Sequence, residues 1–114
     1  VASVGLGRAV IGTEEGPTMW CDEVSSPHSA QSPLEAERLG AAAQTMTEGP
    51  TRLLGASAEK LSNPLLVGQP DVVRQPHVEA RRFVLLASPG VWLKGPRLPL
   101  EWAVAAYRAG RNPA

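Results

Sequence analysis

A chain of 114 residues with 43% hydrophobic and 19% charged side chains buries roughly two-thirds of its unfolded surface on folding, enough for one compact core and too little for a second domain. Lys plus Arg and Asp plus Glu number 11 each, for a formal net charge of +0, so the positive field that nucleic acid or a polybasic membrane contact requires is missing and both are excluded as partners. No uninterrupted apolar run, Phe83 to Ala87 included, approaches the ~18 to 20 residues of a membrane span, so a soluble chain without direct membrane insertion is expected.

The 11 Pro and 11 Gly imply many loops. Cys21, the single cysteine, has no partner for a disulfide and no Cys or His neighbours of a zinc site, which fits an intracellular protein of the cytoplasm or an organelle matrix. The chain opens on Val1 without a signal-like segment, so a processed product or a fragment is expected.

Val1, Val4, Ala9, Val10 and Ile11 flank Gly5-Leu6-Gly7, a pattern that predicts two β-segments joined by a tight glycine turn. Glu14, Glu15 and Gly16 make 13–17 a polar turn, followed by a short strand over Thr18 to Cys21 that carries Trp20. After a loop over 25–31, Ser32-Pro33-Leu34-Glu35 offers an N-cap, a first-turn proline and a capping-box Glu in that order. The expected helix runs on through Ala41 to Ala43 with Ala36, Leu39 and Ala43 on one face, weakened at Gly40 by up to about 1 kcal/mol. Thr47 to Pro50 reads as a turn, 52–64 as irregular with one helical turn, and 71–78, interrupted by Pro76, as an edge-like extended segment. Phe83-Val84-Leu85-Leu86-Ala87 reads as a strand buried on both faces, ended by Ser88-Pro89-Gly90. A last helix is expected over Pro99 to Ala109, with Pro99 at its first position, Gly110 as its stop and Leu100, Ala103, Val104 and Tyr107 on one face.

Several short strings, in this order, resemble one family. Val4-Gly5-Leu6-Gly7-Arg8-Ala9-Val10 resembles the Val-Gly-Asp-Ser-Arg-Ala-Val hairpin of the metal-dependent protein phosphatase 2C family, and Glu35-Ala36-Glu37-Arg38-Leu39 its Glu-Ala-Glu-Arg-Ile helix start. Arg52-Leu53-Leu54-Gly55 is similar to its Arg-Val-Leu-Gly segment, and Pro70-Asp71-Val72 to its Pro-Asp-Val. Phe83-Val84-Leu85-Leu86-Ala87-Ser88-Pro89-Gly90-Val91-Trp92 resembles Phe-Leu-Ile-Leu-Ala-Ser-Asp-Gly-Leu-Trp, and Ala103-Val104 falls on the Ala-Val pair of the next helix. The resemblance is strongest over 1–109 and implies an α+β fold. It makes 1–114 a single partial domain, the middle and later part of an αββα sandwich with antiparallel sheets and flanking helices.

The resemblance also implies what chemistry to look for. Phosphatases of this family hydrolyse phosphoserine and phosphothreonine with two Mn²⁺ or Mg²⁺ ions that activate a water, and such hard cations need oxygen ligands, mostly carboxylates. The family takes them from Asp-Gly-His-Gly, from the Asp of Ala-Ser-Asp-Gly and from a Gly-x-x-Asp-Asn segment. Pro89 stands where the second of these carboxylates belongs, and the other two segments lie outside the resembling region. Leu6-Gly7 replaces the turn's Asp-Ser, and Leu93 replaces the Asp after the Trp. The aspartates, Asp22 and Asp71, match other positions. No metal ligand, cofactor or catalytic residue is therefore assigned.

Other candidates are read as follows. Arg8 is a surface or salt-bridged residue rather than a phosphate contact. His28 and His77, without metal-spaced neighbours, are expected to be solvent-exposed loop histidines. Ser57 and Ser88 are loop serines, since no base is identified beside them. Gly5-Leu6-Gly7 is a turn, lacking the third Gly of a dinucleotide loop. Trp20, Trp92 and Trp102 are either interface anchors or core, and Arg81-Arg82 with Glu14-Glu15 are solvated turn charges. The expectation is a catalytically inactive phosphatase 2C-like (pseudophosphatase) domain that acts as a structural or protein-interaction subunit of a larger assembly. The alternatives are a fragment of an active Ser/Thr phosphatase, and an ordinary small α+β domain with accidental similarity.

Overall fold

A computed structural model describes residues 1–46 and 48–110; the expected turn at Thr47 starts outside the described residues. The elements are β1 (Ala2–Ser3), β2 (Arg8–Glu15), β3 (Thr18–Glu23), α1 (Pro33–Leu39), α2 (Ser57–Ser62), β4 (Asp71–Val72), β5 (Arg81–Ala87) and α3 (Arg97–Arg108), with 3-10 turns at Gly40–Gln44 and Pro89–Trp92. The chain is an α+β fold with antiparallel sheets. No described helix is long and apolar enough to cross a membrane. Two compact units share the chain, the first holding Val1, Arg8–Ser25 and the residues from Arg74 onward, the second Ala2–Gly7 and Ser26–Val73.

The first unit is built on a three-stranded antiparallel sheet in the order β3-β2-β5. The central β2, paired on both sides, places Ala9, Val10 and Ile11 among the buried apolar residues, while Glu15 at its end is exposed. The β2–β3 hairpin closes through Gly16-Pro17 between the paired Glu15 and Thr18, so the strand predicted to carry Trp20 forms and runs on to Glu23. On the other side Ala9 pairs with Leu86, Ile11 with Val84 and Gly12 with Phe83, before the register slips and Thr13 meets Arg81. That bulge leaves Arg82 as the extra residue, and its Nε stands 3.8 Å from Glu14. α3 belongs to the face that carries Phe83, whose ring centroid is 6.1 Å from that of Tyr107. Arg108 at the end of α3 donates to the Pro17 carbonyl at 3.0 Å, tying helix to hairpin turn.

In the second unit β1 pairs antiparallel with β4, Ala2 opposite Val72 and Ser3 opposite Asp71. The segments after α1 are joined by a parallel bridge between Arg52 and Val67 and by the Leu53 N–H donating to the Val67 carbonyl at 2.9 Å.

Five expectations are corrected here. The glycine-turn hairpin over residues 1–11 does not form, because both backbone groups of Gly5 are committed to His28 and β1 pairs with β4 rather than β2. Ser32 is the N-cap of α1 but makes no side-chain cap bond; its hydroxyl donates to the Pro27 carbonyl and Glu35 turns inward instead of closing a capping box. The helix ends at Leu39, because Gly40 takes φ 58°, ψ −132°, a conformation closed to side chains with a Cβ, and a 3-10 turn replaces the expected continuation. β5 is not buried on both faces: Val84 is 56% and Leu86 69% exposed, and the strand lies at the edge of its sheet. α3 begins at Arg97, two residues before Pro99, which packs in its first turn.

Candidate functional site

Two places gather the residues that the sequence singles out. The first is the end of β5. Ala87 lies opposite Arg8 of β2, and Ser88-Pro89-Gly90 leads into the 3-10 turn that ends on the buried Trp92. The Trp92 indole N–H donates to the Ala87 carbonyl at 3.1 Å, pinning the turn back onto the strand. The Arg8 guanidinium carbon stands 6.0 Å from the Trp92 ring centroid, within reach of a cation–π contact. Arg8 also pairs with Glu23 at 3.7 Å, so its reading as a salt-bridged residue holds. Pro89 offers no side-chain oxygen, and a guanidinium rather than a carboxylate lies opposite this strand end. Among the described residues no group of three or more His, Cys, Asp or Glu stands together in a way that holds a metal ion.

The second place is a buried polar network in the unit that contains α1. Glu35 is 2% exposed; its Oε1 accepts from Arg52 Nη2 at 2.6 Å and Nε at 2.9 Å, and its Oε2 accepts from Arg38 Nη2 at 2.9 Å and from the Thr51 hydroxyl. Arg52 Nη1 reaches on to Asp71 Oδ1 at 2.9 Å, and Asp71 Oδ2 meets His28 Nε2 at 2.8 Å. His28 Nδ1 accepts the Gly5 backbone N–H at 3.0 Å, which assigns the ring proton to Nε2, where it is donated to Asp71. The His28 backbone adds two bonds, donating to the Gly5 carbonyl and accepting from the Thr51 N–H, both at 2.8 Å.

The electrostatics follow from these contacts. Burial acts to raise the Glu35 pKa, yet hydrogen bonds from Arg38, Arg52 and Thr51 outweigh it and bring it from 4.5 to about 2. The hydrogen bond from His28, with the charge of Arg52, holds Asp71 below its ordinary range. Hydrogen bonding to Glu35 raises Arg52 in turn. Every donor here has an acceptor, and among the described residues no buried side-chain polar atom lacks a partner. Such an arrangement fixes backbone segments and leaves no group spare for chemistry.

His28 is thus 1% exposed, not the solvent-facing histidine expected, while His77 is exposed as expected. Trp92 is buried, and Trp20 and Trp102 are largely exposed. Ser57 opens α2 rather than lying in a loop. Arg81, in β5 rather than a turn, donates to the Pro76 carbonyl and Gln75. Cys21 lines a groove of about 680 Å³ between β3 and α3 with Met19, Leu100 and Val104. Burial first, and the Asp22 charge second, push its thiol pKa up, which disfavours the thiolate form.

The strings noted in the sequence meet in these two places. Arg8 and Ala87 bring the first string beside the last, and Glu35, Arg38, Arg52 and Asp71 bring the middle three into one network. The model of the family described as protein phosphatase 2C matches residues 1–94. No curated protein matches the chain. Among solved structures, the crystal structure of serine-threonine phosphatase 2C from Toxoplasma gondii is similar, with a TM-score of 0.72 and 22% identity over 99% of this chain. At that identity the likeness concerns the fold, and this chain spans 44% of the length of that one.

Proposed function

The chain belongs to the protein phosphatase 2C family, and on that premise we propose that it is a catalytically silent piece of such a domain, a pseudophosphatase segment that serves as a structural or interaction subunit of a larger protein assembly. The observation that carries this reading is Pro89, an oxygen-free side chain where the family's Asp stands, at a strand end faced by the Arg8 guanidinium. A dinuclear Mn²⁺ or Mg²⁺ centre needs several carboxylate oxygens to offset the repulsion between its cations, and the residues present do not fit one. The interaction role draws on β5, which ends the sheet on one side and turns Val84 and Leu86 outward. An unpaired edge with aliphatic side chains on its outer face suits a protein partner, whose gain is chiefly apolar area at about 25 cal/mol per Å² before association costs.

Calorimetric titration tests the reading. Mn²⁺ added to the chain gives no saturable heat in the micromolar range, and Pro89→Asp alone leaves it so, because one carboxylate does not make a two-metal site. Two tight Mn²⁺ sites, together with Mn²⁺-dependent phosphate release from a phosphoserine peptide, would overturn it. The competing reading, a fragment of an active Ser/Thr phosphatase, is favoured by the 44% span of the matched structure. It requires that a longer protein supply all the ligands and release phosphate despite Pro89.

A further inference from the structure

α3 is apolar on two opposite sides. Leu100, Ala103, Val104 and Tyr107 form its half-buried side, where the Tyr107 ring meets Phe83 of β5. At about 100° per residue, Leu98, Trp102, Ala105 and Ala109 fall half a turn away from these, and all four are exposed. Ala109 is the C-terminal cap, and its N–H still bonds back to the Ala105 carbonyl. A helix that lies on a sheet through one apolar stripe gains nothing from a second stripe opposite it, unless that stripe is covered in turn. Steps of four, three and four residues give a repeat of about 3.5, the spacing of a seam that meets another helix.

The stripe is complementary to itself when one copy is turned end for end. It is bulky at its start, Leu98 and Trp102, and small at its end, Ala105 and Ala109. An antiparallel pair sets Trp102 against Ala105 and Leu98 against Ala109, and twofold symmetry makes each layer twice. A parallel pair would stack Trp102 on Trp102 and leave Ala105 facing Ala105 across a void. Charge gives the same answer. Glu101 and Arg108 lie on one flank of the stripe, one residue before Trp102 and three after Ala105, positions that face each other across an antiparallel seam. Glu101 of each copy therefore meets Arg108 of the other. Both are exposed and already anchored: Arg97 Nε donates to Glu101 Oε1 at 2.7 Å, and Arg108 Nη2 donates to the Pro17 carbonyl at 3.0 Å. A carboxylate and a guanidinium each have further sites for a partner.

We propose that α3 is a self-association face, through which two copies of this chain pair antiparallel with Trp102 of each packed on Ala105 of the other. Trp102, 64% exposed in the single chain, is the anchor, since a large aromatic over a small residue supplies most of the contact. A formal net charge of +0 sets no long-range repulsion against the pairing. A contact confined to one 12-residue helix falls at the small end of specific interfaces, so the dimer is weak and dissociates on dilution. The face is separate from the β5 edge, and the Mn²⁺ titration bears on neither its shape nor its charge.

Analytical ultracentrifugation of the full chain over a hundredfold range of concentration tests this. The average mass is expected to climb from monomer toward dimer and no further, because a twofold pairing is closed. Trp102→Glu, at a site in water in the single chain, keeps the monomer's circular dichroism and weakens the dimer by at least about tenfold, since pairing would bury the new charge. Glu101→Arg and Arg108→Glu each weaken it as well, by placing like charges across the seam. Mixed together, these two charge variants associate more tightly than either does alone, because every flanking pair is then of opposite sign. A monomer at all concentrations overturns the proposal and leaves the stripe to a helix of some other chain. A dimer that Trp102→Glu does not weaken lies on another face, β5 included, and overturns it too. Loss of the dimer in Trp102→Glu without preferential pairing in the mixture overturns the antiparallel arrangement.

Discussion

Glu35→Ala lowers the free energy of unfolding by about 3 to 5 kcal/mol, as expected when one partner of a buried ion pair is removed and the other is left uncompensated. The carboxylate satisfies Arg38, Arg52 and Thr51 at once, so its loss strands the buried Thr51 hydroxyl and the largely buried Arg52 guanidinium, while Arg38 can turn to water. Denaturant unfolding followed by far-ultraviolet circular dichroism measures the effect. A loss below about 1 kcal/mol would show that the network does not hold the unit together.

The same carboxylate sets an acid limit. Its pKa is about 2 in the folded chain against an ordinary 4.5, so on acidification the unfolded chain takes up the proton first. The stabilisation is complete above about pH 4.5 and is lost progressively as pH falls toward 2. Asp71, also held below its ordinary value, acts in the same direction. Glu35→Ala therefore removes much of the acid dependence as well as the stability, and a variant as acid-sensitive as the wild type would contradict this account.

Gly12→Ala destabilises the other unit by about 1 to 3 kcal/mol, the cost of forcing an extra methyl into a packed core. Gly12 is paired with Phe83, and a Cβ built on it would overlap Cδ1, Cε1 and Cζ of that ring. The ring cannot simply turn away, since Tyr107 lies beside it. Phe83→Leu removes the obstructing ring atoms, so the cost of Gly12→Ala is smaller in that background. A double-mutant cycle by chemical denaturation measures the difference, and strictly additive effects would contradict the packing described.

The sequence carried the local signals well and the long-range ones poorly. The spacing of Leu100, Ala103, Val104 and Tyr107 located α3, and Ser32-Pro33 located the start of α1, because both signals act within one or two turns. Strand existence was readable over Thr18 to Cys21 and Phe83 to Ala87, but pairing was not: nothing in Val1 to Ile11 reveals that β1 finds β4 about seventy residues away. The apolar run of β5 suggested two covered faces, whereas alternation along an edge strand leaves Val84 and Leu86 outside. The burial of His28 has no local signal, because a lone histidine carries no mark of burial without its partners. One signal for the network was present: Glu35 sits four residues before Leu39, on the helix face expected to be apolar, and a carboxylate there needs cations. The resemblance supplied the strings that hold those cations, but not the contacts.

All three tryptophans, Trp20, Trp92 and Trp102, and the single tyrosine, Tyr107, belong to the unit built on β2, β3 and β5. The unit that contains Glu35 has neither chromophore, so it can melt unseen by intrinsic fluorescence. With Trp20 and Trp102 already largely in water, the emission change on denaturation comes mainly from Trp92. An optical midpoint that trails the dichroism midpoint would thus time the two halves of the chain separately.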